Sequence, residues 1–89
     1  MQVSESQSTS DLLALGTRRI LRRPARTVNG HMLGLNTLLI VKAHVRGSRR
    51  HGLNYTSTWD YLFETADGRV CQLTRREVRT NTREPGAGE

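Results

Sequence analysis

The clearest alternation of apolar and polar positions lies near the carboxyl end, in residues 59–74, WDYLFETADGRVCQLT. If residues 66–68 form a three-residue loop with Gly68 in the left-handed conformation, Phe63 pairs with Cys71 across two antiparallel strands. The side chains that then share one face are Trp59, Tyr61, Phe63, Cys71 and Leu73. A slip of one residue would turn this apolar face to water. The pattern therefore predicts a β-hairpin in the bulged register.

A second apolar run, TLLIVKAHV in residues 37–45, predicts the central strand of a sheet. Alternation along a strand gives one face made of Leu39, Val41, Ala43 and Val45. The opposite face is made of Leu38, Ile40, Lys42 and His44. The first half of the strand is apolar on both faces and the second half on one face, so we expect burial to decrease along it.

Residues 11–23, DLLALGTRRILRR, predict a short amino-terminal helix. At 100° per residue, one face gathers Leu12, Leu13, Gly16 and Ile20. Ser8, Thr9 or Ser10 is a suitable cap, and Pro24 ends the helix at or before Arg23. A competing interpretation ends the helix at Gly16 and makes TRRILRR an edge strand, which Pro24 also tolerates.

Three connecting stretches carry weaker signals. VNGH, residues 28–31, predicts a two-residue turn because Asn29 and Gly30 tolerate the positive φ of a type I′ turn. RGSRRHGLNYTST, residues 46–58, has two glycines, three arginines and no apolar periodicity, and it predicts a solvent-exposed loop. TRREVR, residues 74–79, continues as a strand or closes with one helical turn.

These elements give a single small domain of the α+β class that is mainly β. A short amino-terminal helix precedes three to five strands, arranged as a small antiparallel sheet or an open SH3-like barrel. The polar, serine-rich residues 1–10 and the polar residues 81–89 are expected to be disordered, which leaves residues 11–80 as the folded unit. With 89 residues in all, the core must be small.

Charge changes this picture, because the net charge of +6 is unevenly distributed. Residues 11–30 hold five arginines against one aspartate, residues 31–58 hold four basic residues and no acidic one, and the final hairpin is acidic. Such asymmetry favours a polyanionic partner, since each neutralised phosphate releases counterions. Thirteen of the fourteen basic residues are arginine, which suits bidentate phosphate contacts. A GC-rich genome is the alternative explanation of such a bias.

The leading expectation is a non-enzymatic nucleic-acid-binding module, for RNA or DNA, with low sequence specificity. The residues expected to contact phosphates are Arg18, Arg19, Arg22, Arg23 and Arg26 in TRRILRRPAR, and Arg46, Arg49 and Arg50 in the following basic stretch. Tyr55 is the better candidate for stacking on bases, because Trp59 already begins the apolar face of its strand.

Two other classes of function remain open. One is a small accessory or inhibitor protein, of phage or plasmid type, that docks on an acidic protein partner. The other is a small toxin-like ribonuclease in which Arg50, His51, Tyr55 and Arg75 perform the chemistry. No local signature places these four residues together, so we expect no enzymatic activity.

No cofactor or metal is expected. The histidines and the cysteine are of the residue types that ligate zinc, but no pair among His31, His44, His51 and Cys71 has a zinc-ligand spacing. No run of about eighteen apolar residues and no secretory signal is present, so we expect a cytoplasmic protein without a membrane partner. We expect it to be a monomer or a weak homodimer.

Overall fold

The computed structural model describes residues 11–86, with the side chains of residues 48–51 and 55–57 left undescribed. The predicted disordered residues 1–10, and residues 87–89 of the second tail, lie outside this range. The elements are β1 (Arg18–Leu21), β2 (Ala25–Arg26), β3 (Met32–Leu33), β4 (Leu38–His51), β5 (Asn54–Thr65), β6 (Val70–Thr74), α1 (Arg75–Asn81) and β7 (Thr82–Arg83). Within the described range no helix has the length and apolarity needed to span a membrane.

The protein is mainly β, as predicted. Its main sheet is antiparallel and has the strand order β6-β5-β4-β1-β7, and β2 and β3 form a separate two-stranded sheet. A 2.8 Å hydrogen bond from the Val28 N–H to the Gln72 carbonyl oxygen links the chain after β2 to β6. The buried core consists of Leu12, Leu21, Ala25, Leu39, Val41, Tyr61, Phe63, Leu73 and Val78.

The predicted hairpin of β5 and β6 is confirmed in its bulged register. Phe63 is opposite Cys71, and Tyr61 is opposite Leu73. Gly68 has a φ of 87°, which is the left-handed conformation that the three-residue loop requires. Phe63 and Leu73 have no exposed surface, so the alternation of the sequence corresponds to the burial in the fold.

The prediction of an amino-terminal helix is wrong, because the helix of this protein lies near the carboxyl end. Gly16 has a φ of 88° and ends a turn, and Arg18–Leu21 then forms β1. The competing strand interpretation is correct in type, but β1 is not at an edge, since β4 and β7 pair with its two sides. A short helix is marginal on its own, whereas pairing along both edges satisfies the main chain of β1.

The predicted faces of the central strand hold only as far as Val41. A β-bulge between Val41 and Ala43 shifts the register, so that Val41 is opposite Phe63 while Ala43 is opposite Leu62. Because successive side chains of a strand alternate, the extra residue exchanges the two faces of β4 from this point onward. His44, predicted on the polar face, therefore lies on the face of Tyr61.

The predicted loop at residues 46–58 is also wrong, because this stretch extends β4 and β5. Their pairing runs from Arg46 opposite Trp59 to His51 opposite Asn54, around a turn at residues 52–53. We name residues 46–59 the hairpin arm. Its six pairs are about 20 Å long at the usual rise of a strand. No third strand of the described chain pairs with them, and the molecule measures 44 × 28 × 21 Å.

The remaining predicted boundaries are corrected in detail. The VNGH turn has three residues rather than two, since the Thr27 N–H donates to the His31 carbonyl oxygen at 2.7 Å and only Gly30 within it has a positive φ. TRREVR takes its helical alternative, capped by a bond from the Glu77 N–H to Thr74 Oγ1. Thr82 is buried and pairs with β1, so the sheet extends past residue 80.

Candidate functional site

The base of the hairpin arm brings an arginine onto an aromatic ring. Arg46 is opposite Trp59, and its Cζ lies 4.7 Å from the centre of the indole ring. Trp59 is half-buried and packs on the core, while Arg46 is exposed. A guanidinium over an indole face is a favourable cation–π pair, which fixes the arginine and leaves it open to solvent. The bulge in β4 causes this pairing, because without it Arg46 would lie on the opposite face.

A short network holds the body of the protein firmly beneath the arm. The His44 Nε2–H donates to the Leu13 carbonyl oxygen at 2.7 Å, and the Leu13 N–H donates to the Tyr61 hydroxyl at 2.8 Å. The rings of His44 and Tyr61 meet edge to face, with centroids 5.8 Å apart. These contacts anchor the chain before β1 across the two strands that continue into the arm.

The outer part of the arm carries three further predicted site residues. The backbone register places Arg50 opposite Tyr55 and Arg49 opposite Thr56, although their side chains are not described. At the tip, Leu53 is 91% exposed. The arm contains three arginines, one histidine and no acidic residue, so its net charge is +3 with histidine neutral. It therefore presents a basic ribbon that ends in an apolar side chain.

The five arginines of TRRILRRPAR lie in β1, in the bend after it and in β2, and Arg19 and Arg22 are bonded to the main chain. Arg19 donates from Nε to Thr82 Oγ1 at 3.0 Å and from Nη2 to the Thr82 carbonyl oxygen at 3.2 Å. Arg22 donates from Nε and Nη2 to the Thr80 carbonyl oxygen, at 3.0 and 2.8 Å. These four bonds tie β1 and the residue after it to the end of α1, where carbonyl groups lack helical partners. Arg19 is half-buried, and the exposed members are Arg18, Arg22, Arg23 and Arg26.

Sequence reasoning missed a second basic group on α1. Arg75 and Arg79 are one helical turn apart, and both line a cleft beside Tyr61. The spacing of four residues was a usable signal, since positions i and i+4 share a helix face. The sequence TRREVR is compatible with both a strand and a helical turn, so this spacing alone does not identify the group.

The four residues of the ribonuclease alternative are not brought together. Arg50 and Tyr55 pair within the arm, next to His51. Arg75, in contrast, follows Thr74, which pairs with Asp60 at the foot of the arm. Tyr55 and Asp60 are five positions apart along the same strand, about 17 Å at the usual rise of a strand.

The described residues contain few groups that could act as a nucleophile or bind a metal ion. Among the described residues, no cluster of three or more histidine, cysteine, aspartate or glutamate side chains is placed to hold a metal ion. Burial raises the pKa of the Cys71 thiol, and the nearby Arg69 opposes this shift. The thiol therefore stays protonated at neutral pH and is a poor nucleophile.

Comparisons with protein-family models, with curated proteins and with solved structures find no match to this chain.

Proposed function

We propose that this protein is a non-enzymatic nucleic-acid-binding module of low sequence specificity, and that the hairpin arm is its principal contact element. The single observation that carries this proposal is the stacking of Arg46 on Trp59 at the base of a basic ribbon. An aromatic ring with a planar guanidinium beside it is the combination on which unpaired bases stack, and the neighbouring arginines neutralise phosphates.

The charge distribution supports the same function. Residues 46–59 contain three arginines and no aspartate or glutamate. On the rest of the fold, Lys42 and Glu64 lie 3.3 Å apart, and Arg69 and Asp67 are also 3.3 Å apart, so these two cations are locally compensated. Because Arg19 and Arg22 are already engaged with main-chain carbonyl groups, we assign the leading role to the arm rather than to TRRILRRPAR.

We also propose that the main sheet is an open SH3-like barrel. Two features support this description. The last strand, β7, pairs with β1 rather than with β6, and the Val28–Gln72 hydrogen bond brings the chain after β2 to the free edge of β6. The bulge in β4 supplies the bend that curvature of a sheet requires.

A second candidate function is docking on an acidic protein, and the exposed Leu53 favours it. A leucine at the tip of a basic hairpin is suited to an apolar pocket surrounded by carboxylates. The salt dependence and the stoichiometry of binding distinguish the two functions. Nucleic-acid binding weakens steeply with salt on unrelated sequences, whereas a protein partner binds at one fixed ratio.

The intrinsic fluorescence of Trp59 tests the proposal, because it is the only tryptophan in the chain. Titration with a single-stranded oligonucleotide should change this fluorescence, and log affinity should fall linearly with log salt concentration. Arg46→Gln should flatten that slope by about 0.7, the value for one phosphate contact on a single strand. The matched control Arg76→Gln removes the same charge from α1 and should leave the slope unchanged. Equal slopes for both variants, or no binding, would refute the assignment.

A further inference from the structure

Beside the foot of the arm, a cleft of about 190 Å³ opens between α1, β1, β5 and the chain that precedes β1. Its apolar wall includes Tyr61 and Val78, and its charged side chains are Arg19, Arg75, Arg79 and Asp11. Thr74, which immediately precedes Arg75, pairs with Asp60, which immediately follows Trp59. The cleft is thus close to the Arg46–Trp59 pair but separate from it.

The fold holds the three arginines of the cleft near one another without neutralising them. Arg75 and Arg79 stand one turn apart on α1, an arrangement in which like charges repel. Neither has an ion pair or a side-chain hydrogen bond within residues 11–86. Arg19 is held in place by its bonds to Thr82, and these bonds leave its Nη1 group free to donate. With Asp11 included, the cleft has a net charge of +2.

The Tyr61 hydroxyl adds a neutral donor to this group. It accepts a hydrogen bond from the Leu13 N–H at 2.8 Å, and within residues 11–86 its own hydrogen has no acceptor. Tyr61 is 3% exposed, and a hydroxyl that accepts one hydrogen bond keeps its own hydrogen to donate. An oxyanion in the cleft would accept from this hydroxyl and from the arginines together.

We infer that this cleft binds one phosphate group. A phosphate presents several acceptor oxygens, which match the forked donors of guanidinium groups, and its charge relieves the repulsion between Arg75 and Arg79. The inference rests on the proposed function only for the source of the phosphate, which we assign to the backbone or terminus of a bound nucleic-acid strand. The cleft would then fix the strand on the body while the arm contacts the rest of it.

Titration with inorganic phosphate, followed by NMR of the arginine Nε–H groups, tests the cleft by itself. The signals of Arg19, Arg75 and Arg79 should shift together, and Arg79→Gln should weaken phosphate binding about tenfold through loss of a charge-assisted bond. Arg76→Gln, on the same helix but outside the cleft, should leave the affinity for phosphate unchanged. Asp11→Asn should raise the affinity for phosphate, because it removes a negative charge that repels the anion.

The inference is overturned if phosphate shifts all exposed arginines alike, or if Arg76→Gln weakens binding as much as Arg79→Gln. A single-stranded oligonucleotide added to the phosphate-loaded protein identifies the source. Displacement of phosphate by the oligonucleotide supports a nucleic-acid strand as the source of the bound phosphate group. If inorganic phosphate binds and the oligonucleotide binds nowhere, the cleft is a site for free phosphate and the proposed function fails. If the oligonucleotide binds through Arg46 while Arg79→Gln has no effect, the proposed function stands and the cleft assignment fails.

Discussion

The body of the protein, residues 11–45 and 60–86, and its hairpin arm are both built from antiparallel strands, yet different interactions hold them. In the body, Leu21, Leu39, Phe63 and Leu73 have no exposed surface. In the arm, Trp59 is the only described side chain that is partly buried, and pairing of the main chain holds the outer residues. Burial of side chains therefore specifies the body, whereas pairing of the main chain specifies the arm.

The largest expected effect is the loss of a core side chain. Phe63→Ala should lower the free energy of unfolding by about 3–5 kcal/mol, because it removes a fully buried ring from a small core. Its control is Val70→Ala in the same hairpin, where the side chain is 60% exposed and the change should stay within about 0.5 kcal/mol. Urea unfolding measures both. Similar midpoints for the two variants would show that the apolar face is not the core.

A smaller effect is expected from the backbone of the β5–β6 loop. Gly68→Ala should cost about 1–2 kcal/mol, because alanine resists the left-handed conformation at a φ of 87°. No atom lies within 4 Å of the added Cβ, so the cost is conformational and not steric. Gly34 has the same open space without a positive φ, and Gly34→Ala should not destabilise the protein. If thermal unfolding gives both variants the same stability, the conformation assigned to Gly68 is incorrect.

The rate of thiol alkylation can be compared directly between the body and the arm. Burial raises the pKa of Cys71, so its alkylation should be slower than that of a free thiol at pH 7–8 and should accelerate at higher pH. A second thiol placed by Leu53→Cys, in a Cys71→Ser background, lies where the native side chain is 91% exposed and should react at the ordinary rate. Equal rates for the two thiols in the folded protein would contradict the difference in burial.

The hairpin of β5 and β6 was predictable because its apolar face, its loop and Gly68 all favour one register. The amino-terminal helix was not, since Leu12, Leu13, Gly16 and Ile20 match a helical period although Gly16 takes a left-handed turn. Only long-range pairing with β4 and β7 decides between the two structures, and that pairing leaves no local signal in TRRILRR.

The candidate site was predictable in composition but not in geometry. Charge singles out Arg46, Arg49 and Arg50, but residues 46–58 have no apolar alternation, so their sequence resembles that of a loop. The stacking of Arg46 on Trp59 depends on one extra residue after Val41, a bulge that the alternation of TLLIVKAHV does not reveal. Local periodicity cannot report such a change of register.

Replacement of the arm tests the central claim most directly. In the variant, Asn-Gly replaces residues 47–58 and joins Arg46 to Trp59 by a two-residue turn, which leaves the body intact. We predict cooperative unfolding as in the native protein, weaker binding of a single-stranded oligonucleotide, and a salt slope flatter by about 1.4 for the loss of Arg49 and Arg50. A folded variant that binds the oligonucleotide with the native affinity and slope would contradict the account.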